Sequence, residues 1–164
     1  QLTRRYCKRS VVVWTSALTV LALIGLHGLD LSSRWQLNSW IFIVSLLGAI
    51  KIPVIWSMVA DAADDMELAS GRRVVGLATS SVAFAQKFGI GLGAALSGLI
   101  LSHTGYQPGA ALTESARQGI VLMIGLLPAL LYAAMAAFYL LYPLDKARLV
   151  RLQIELQARR AAAA

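Results

Sequence analysis

Charge is scarce in this sequence. Only 14% of its 164 residues are Asp, Glu, Lys or Arg and 58% are hydrophobic, whereas a soluble domain carries about a quarter charged residues. With a mean hydropathy of +0.67, the balance is that of a membrane protein. A single cysteine, Cys7, excludes an internal disulfide framework. No stretch of about ten residues alternates apolar with polar, which excludes transmembrane strands and leaves an all-α fold. Glycine-rich phosphate loops, nucleophile triads and metal-spaced clusters are also lacking, so nothing in the sequence points to an enzyme. His27 and His103 have no second ligand at metal spacing. The net charge of +7 does not imply nucleic acid, because the basic residues form short clusters between apolar runs instead of one exposed face.

Four apolar runs are long enough to cross a bilayer, which takes about 20 residues as a helix. They are Val11–Leu29, Leu37–Ala60, Val74–Ser102 and Gln118–Leu141. The first is too long for the apolar core of a signal peptide, and no small-residue cleavage site follows it. This gives a basic segment at 1–10, a four-helix membrane region at 11–144 and a tail at 145–164. If the helices alternate in direction, Arg4, Arg5, Lys8, Arg9, Arg72, Arg73, Lys146, Arg148, Arg151, Arg159 and Arg160 fall on one side, and only Arg34 and Arg117 on the other. The excess of positive charge predicts that both termini are cytoplasmic. In the tail, Leu149, Leu152 and Leu156 fall on one helical stripe flanked by arginines. That pattern is expected of a basic amphipathic helix against an anionic leaflet or of a solvated end.

Half of the eight acids lie within Asp61–Arg73, namely Asp61, Asp64, Asp65 and Glu67. Asp61 and Asp64 share a helical face, and Glu67 extends it by a turn. Lys51 and Lys87, by contrast, lie inside spans, where a charge costs a few kcal/mol and calls for a cavity or a partner. Lys87 shares its face with Ser80, Ala83, Gly91, Ala94 and Gly98, and Gly89, Gly93 and Ser97 form a small-residue row beside it. Such a surface permits close helix approach. No acid of the chain lies at the depth of either lysine, so an anionic substrate or carboxylates from further helices are expected to serve them.

"ADAADDMELASGRRVVG", followed by "SVAFAQKFGIGLGAALSGLIL" and "TGY", resembles the C-terminal region of the glycoside–pentoside–hexuronide:cation symporters. These are twelve-helix carriers of the major facilitator type that include the melibiose carrier. Asp61, Asp64, Glu67, Gly71, Arg73 and Gly76 match the family's loop pattern, and Lys87 matches a lysine of its following helix. Asp65 stands where the family has an aromatic residue, and Val75 where it often has Glu. The resemblance implies that the four spans are the last four of twelve and that the chain is part of a secondary transporter of the bacterial inner membrane. It implies symport of a sugar or glycoside with sodium, lithium or a proton, without an enzymatic cofactor. The coupling cation would be bound mainly by an N-terminal half of the carrier, which would be the chain's partner along with membrane lipid. Lys87, and less directly Lys51, would serve substrate or cation coupling. Asp61, Asp64, Glu67 and Arg73 would form the cytoplasmic gate. The competing reading from the residues alone is a small four-helix membrane scaffold or channel subunit.

Overall fold

The computed structural model describes residues 7–28, 33–72, 74–143 and 146–162. Arg4, Arg5, Asp30 and Arg73 lie outside them. Among the described residues there are helices and no strands. We label the helices α1 (Lys8–Gly25), α2 (Arg34–Ser70), α3 (Val75–His103), α4 (Glu114–Leu140) and α5 (Lys146–Ala162). The first four are long and apolar enough to cross a membrane.

α2 is longer than any span requires. Its 37 residues extend about 55 Å at 1.5 Å per residue, nearly twice the hydrocarbon core of about 30 Å. The helix runs through Pro53 and continues ten residues past Ala60, the expected end of the span, and carries the four acids with it. It stops at Gly71, whose φ of 69° is left-handed and whose N–H bonds the Glu67 carbonyl at 2.9 Å. Glycine takes that conformation without the steric penalty of a side chain.

α1 packs mainly against α4 and α2. Its buried seam is Val12, Ser16, Thr19, Leu23 and Leu26, a 4-3-4-3 spacing that keeps one face on its neighbours. Two of the five are small hydroxyl residues. In a membrane, where lipid is as apolar as leucine, small polar residues allow close approach and hydrogen bonding. At the far end of the bundle, the Trp40 indole N–H donates to the Ala22 carbonyl at 2.7 Å and ties α2 to α1.

α4 is not uniform. Thr113 caps it by accepting from the Ala116 N–H at 3.2 Å, and Glu114 occupies the first turn, where a negative charge meets the positive end of the helix dipole. Leu122–Leu126 form a π turn around the buried Gly125, and the α-helical half that follows, Leu127–Leu140, carries Pro128 in its first turn. α3 buries none of its residues.

The end of α3 and the start of α4 meet at Gly119. A Cβ there would lie 2.6 Å from Thr104 Cγ2, inside van der Waals contact, and Thr104 itself is anchored to the Ile100 carbonyl at 3.0 Å. Gly119→Ala is expected to push these ends apart at a cost of about 1–3 kcal/mol, read as a lower melting temperature in detergent. Gly76→Ala, with open space around its Cβ position, is the control that should leave melting almost unchanged.

Candidate functional site

Two groups of polar side chains stand out in the bundle, one at mid-span and one at the charged end of α2. At mid-span, Lys51 is 2% exposed. Its ammonium donates to Thr19 Oγ1 at 2.8 Å and lies 3.8 Å from the centroid of the Tyr132 ring. Thr19 in turn donates to the Thr15 carbonyl at 2.7 Å, so its hydroxyl is used as both acceptor and donor. Three helices therefore converge on one cation: α1 through Thr19, α2 through Lys51 and α4 through Tyr132. A desolvated cation–π contact contributes about 2 kcal/mol, and a hydrogen bond from a charged donor about 2 kcal/mol. Together they offset a burial cost of about 3 kcal/mol for lysine at the helix centre of a span. Within its own chain, Lys51 is served by a hydroxyl and an aromatic face. Neither carries a charge, so charge complementarity along the sequence does not signal them.

The charged end is built on the extension of α2. Asp61, 8% exposed, accepts from Lys8 Nζ at 2.6 Å, which pins the start of α1 to α2. One turn earlier the Met58 carbonyl accepts from the Tyr142 hydroxyl at 3.3 Å, and the Tyr142 carbonyl accepts from Arg9 at 3.5 Å. Asp65 accepts from Arg148 at 3.2 Å, and the Leu68 carbonyl from Arg159 at 2.9 Å. Burial, reinforced by the Asp61 carboxylate, pushes the Tyr142 phenol up to about 12, so it stays neutral and able to donate.

Of the residues singled out from the sequence, Asp61, Asp64 and Glu67 share the α2 extension, and the last two are half-buried. Arg73 lies outside the described residues. Lys87 is exposed, as are Ser80, Ala83, Gly91, Ala94 and Gly98. The small-residue face expected to be packed is thus uncovered within this chain, because α3 is held through its neighbours without burying a side chain. The structure does not bring Lys51 and Lys87 together: one is sealed between α1, α2 and α4, the other open on α3. Lys8, Asp65, Arg148 and Tyr142 were missed as members of the charged group. Asp65, which departs from the family's aromatic residue, was the available signal.

Three measurements check these assignments. In a double-mutant cycle of Lys51→Met and Tyr132→Leu, unfolding in detergent should show a coupling of about 1–2 kcal/mol; additive effects would dissolve the cation–ring contact. Tyr142 has a folded value above its ordinary 10.0. Its neutral form therefore contributes stability that is complete below about pH 10 and lost as pH rises through about 12. Tyrosinate absorbance, taken as the difference between wild type and Tyr142→Phe, should rise near pH 12, and earlier in Asp61→Asn. Asp61→Asn should also lose about 2 kcal/mol of stability as the charge-assisted bond from Lys8 weakens.

The sequence matches the family described as MFS/sugar transport protein over residues 1–146. It is 27% identical over 132 residues to the inner membrane symporter YicJ of Escherichia coli, covering 80% of this chain and 29% of that protein. It is 35% identical over 116 residues to the putative glycoside/cation symporter YagG of the same organism, covering 67% and 24%. With the isoprimeverose transporter of Lactiplantibacillus pentosus it shares 37% identity over 89 residues, 54% of this chain and 19% of the relative. The chain thus spans less than a third of the length of these relatives. No solved structure matches it. Four membrane-crossing helices, an all-α architecture and these matches agree: the chain is an integral membrane protein of the MFS/sugar transport family, which comprises transporters and not enzymes.

Proposed function

We propose that the chain forms the last four membrane helices of a cation-coupled symporter that moves a sugar or glycoside by alternating access, with both termini in the cytoplasm of a bacterial cell. The observation that carries this reading is the open face of α3. It presents Lys87 and a row of small residues, and a lysine facing hydrocarbon is costly. A face built for close helix contact and carrying a charge calls for further helices that supply a carboxylate. Relatives named as a glycoside/cation symporter and an isoprimeverose transporter support a saccharide substrate. The excess of arginine and lysine at the charged end supports its cytoplasmic placement.

In this mechanism, Lys87 ties a carboxylate of the cation site, in the N-terminal half of the carrier, to the C-terminal bundle. Asp64 and Glu67, with Arg73, form the rim at which the cytoplasmic mouth closes, and Asp61, held by Lys8, anchors that rim to the bundle. Ion pairs at such a rim are partly hydrated and weak individually, so they can break and re-form in each cycle. Lys51 serves the bundle itself: sealed behind Thr19 and Tyr132, it has its partners inside the chain. A neutral glycoside is therefore favoured over a hexuronide.

Transport by the full carrier in vesicles tests the reading. Lys87→Ala, compared with wild type at equal membrane expression, should lose sugar accumulation driven by a sodium, lithium or proton gradient. Lys87→Arg should rescue poorly, because a planar fork does not replace a compact ammonium. Accumulation that persists in Lys87→Ala would remove the lysine from coupling. Uptake of no sugar under any of the three gradients by wild type would sink the symport reading.

A further inference from the structure

α2 ends beyond its apolar run with the wrong charge for a helix C-terminus. Residues 64–70 include Asp64, Asp65 and Glu67, and no basic residue stands in the last turn. Carboxylates oppose the negative end of the helix dipole, and the last four carbonyls of a helix have no donor within it. The first of those four, on Glu67, accepts from the Gly71 N–H. The next, on Leu68, accepts from the Arg159 guanidinium at 2.9 Å. Arg159 belongs to α5, 91 residues further along the chain, so the tail supplies the cation that the end of α2 lacks. A basic side chain that donates to terminal carbonyls is what such an end favours.

A second arginine of α5 grips the same face of α2. Arg148 donates to Asp65 at 3.2 Å. Between the two arginines, Leu152 and Leu156 are buried, and α5 packs on α2. At 100° per residue, Arg148, Leu152, Leu156 and Arg159 fall within about 80° of one another. The leucine stripe of the tail is thus turned toward protein and bracketed by two arginines. On α2, Asp61, Asp65 and Leu68 fall within about 60°, on the side that carries the buried Val54 and Met58. Lys8 holds the first of the three, and α5 holds the other two. Asp64 and Glu67 stand about 60° and 120° around the axis from Asp61, beside the clamped face and not on it. Asp65 stands where the family that the motif resembles has an aromatic residue, so the pair with Arg148 belongs to this chain and not to the family's loop pattern.

We propose that α5 is the cap and rotational lock of the α2 extension. Arg159 completes the C-terminus of α2, Arg148 fixes its turn about the axis, and together they aim Asp64 and Glu67 at the cytoplasmic rim. Both arginines are positioning residues, since they act through α2. The Arg148–Asp65 pair is partly exposed, so salt weakens it. The link to the rim rests on the transporter reading given above; the cap and the lock do not.

Hydrogen exchange of the intact protein in phospholipid vesicles, resolved by mass spectrometry, reads the cap directly. Arg159→Gln should speed exchange of the amides of residues 65–71 about three- to tenfold. Arg159→Lys should recover most of the protection, because a cation returns to the carbonyl end. Arg148→Gln, and salt of about 1 M on the wild type, should each give a smaller rise. Gln153→Ala, on an exposed position of α5, is the control that should change nothing. Unchanged exchange when Arg148→Gln and Arg159→Gln are combined would overturn the proposal. So would a rise that Arg159→Lys fails to reverse, since the side chain would then act by packing alone. Sugar uptake by the full carrier reads the aim. Arg159→Gln should lower the maximal rate about threefold with KM little moved, because closure of the rim is disturbed and substrate binding is not. Faster exchange with an unaltered rate would remove the positioning role. A wild type that accumulates no sugar sinks the symport reading instead, and exchange then decides the cap and the lock by itself.

Discussion

The ammonium of Lys51 has to be satisfied ten residues, about 15 Å, from the charged end of its helix, and the solution constrains the side chains around it. A carboxylate at that depth would bring a second charge into hydrocarbon. A hydroxyl and a ring bring none, and both come from neighbouring helices: Thr19 on α1 and Tyr132 on α4. The hydroxyl seam of α1 follows from this, because a bulkier residue at position 19 would hold α1 away from α2. The arrangement also makes the three helices interdependent. Removing the ring or the hydroxyl leaves a buried cation underserved, whereas replacing the lysine by an apolar residue of similar size removes the demand altogether.

The charged end repeats the logic with more water available. Lys8 meets Asp61 at a partly buried position, while Arg148 and Asp65 meet near the surface. The inner pair holds α1 to α2, and the outer one holds the tail helix to the same extension. Since both rest on one uninterrupted helix, anything that tilts α2 is felt at the tail, at the start of α1 and at the cation midway along it. α3 stands outside this arrangement, which is why its lysine and its row of glycines are open.

Much of this was legible in the sequence, and the parts that were not share a cause. Four spans and an all-α fold follow from composition and run length, since backbone groups in lipid must be satisfied within a helix. The family was readable from the Asp61–Gly76 motif and Lys87. Hidden were the partners that join distant stretches. Lys8 and Asp61 are 53 residues apart, and Arg148 and Asp65 are 83; spacing along one chain does not report such contacts. The acidic cluster follows Ala60, where charge ends the apolar run. Ala, Met, Glu and Leu within it are nevertheless strong helix formers, and the helix persists to the first glycine. The packing expected around Lys87 could not appear among helices that do not cover it.

The π turn at Leu122–Leu126 has a consequence for α4 as a whole. One extra residue per turn advances everything after it by about 100° around the helix axis. The first half of α4 therefore meets the end of α3 through Gly119 and Thr104, and the second half turns Ala129 inward and Tyr132 onto Lys51. A regular α-helix with the same sequence could satisfy one of these neighbours but not both. The five-residue turn works as an angular spacer, letting one membrane helix read two different partners at its two ends.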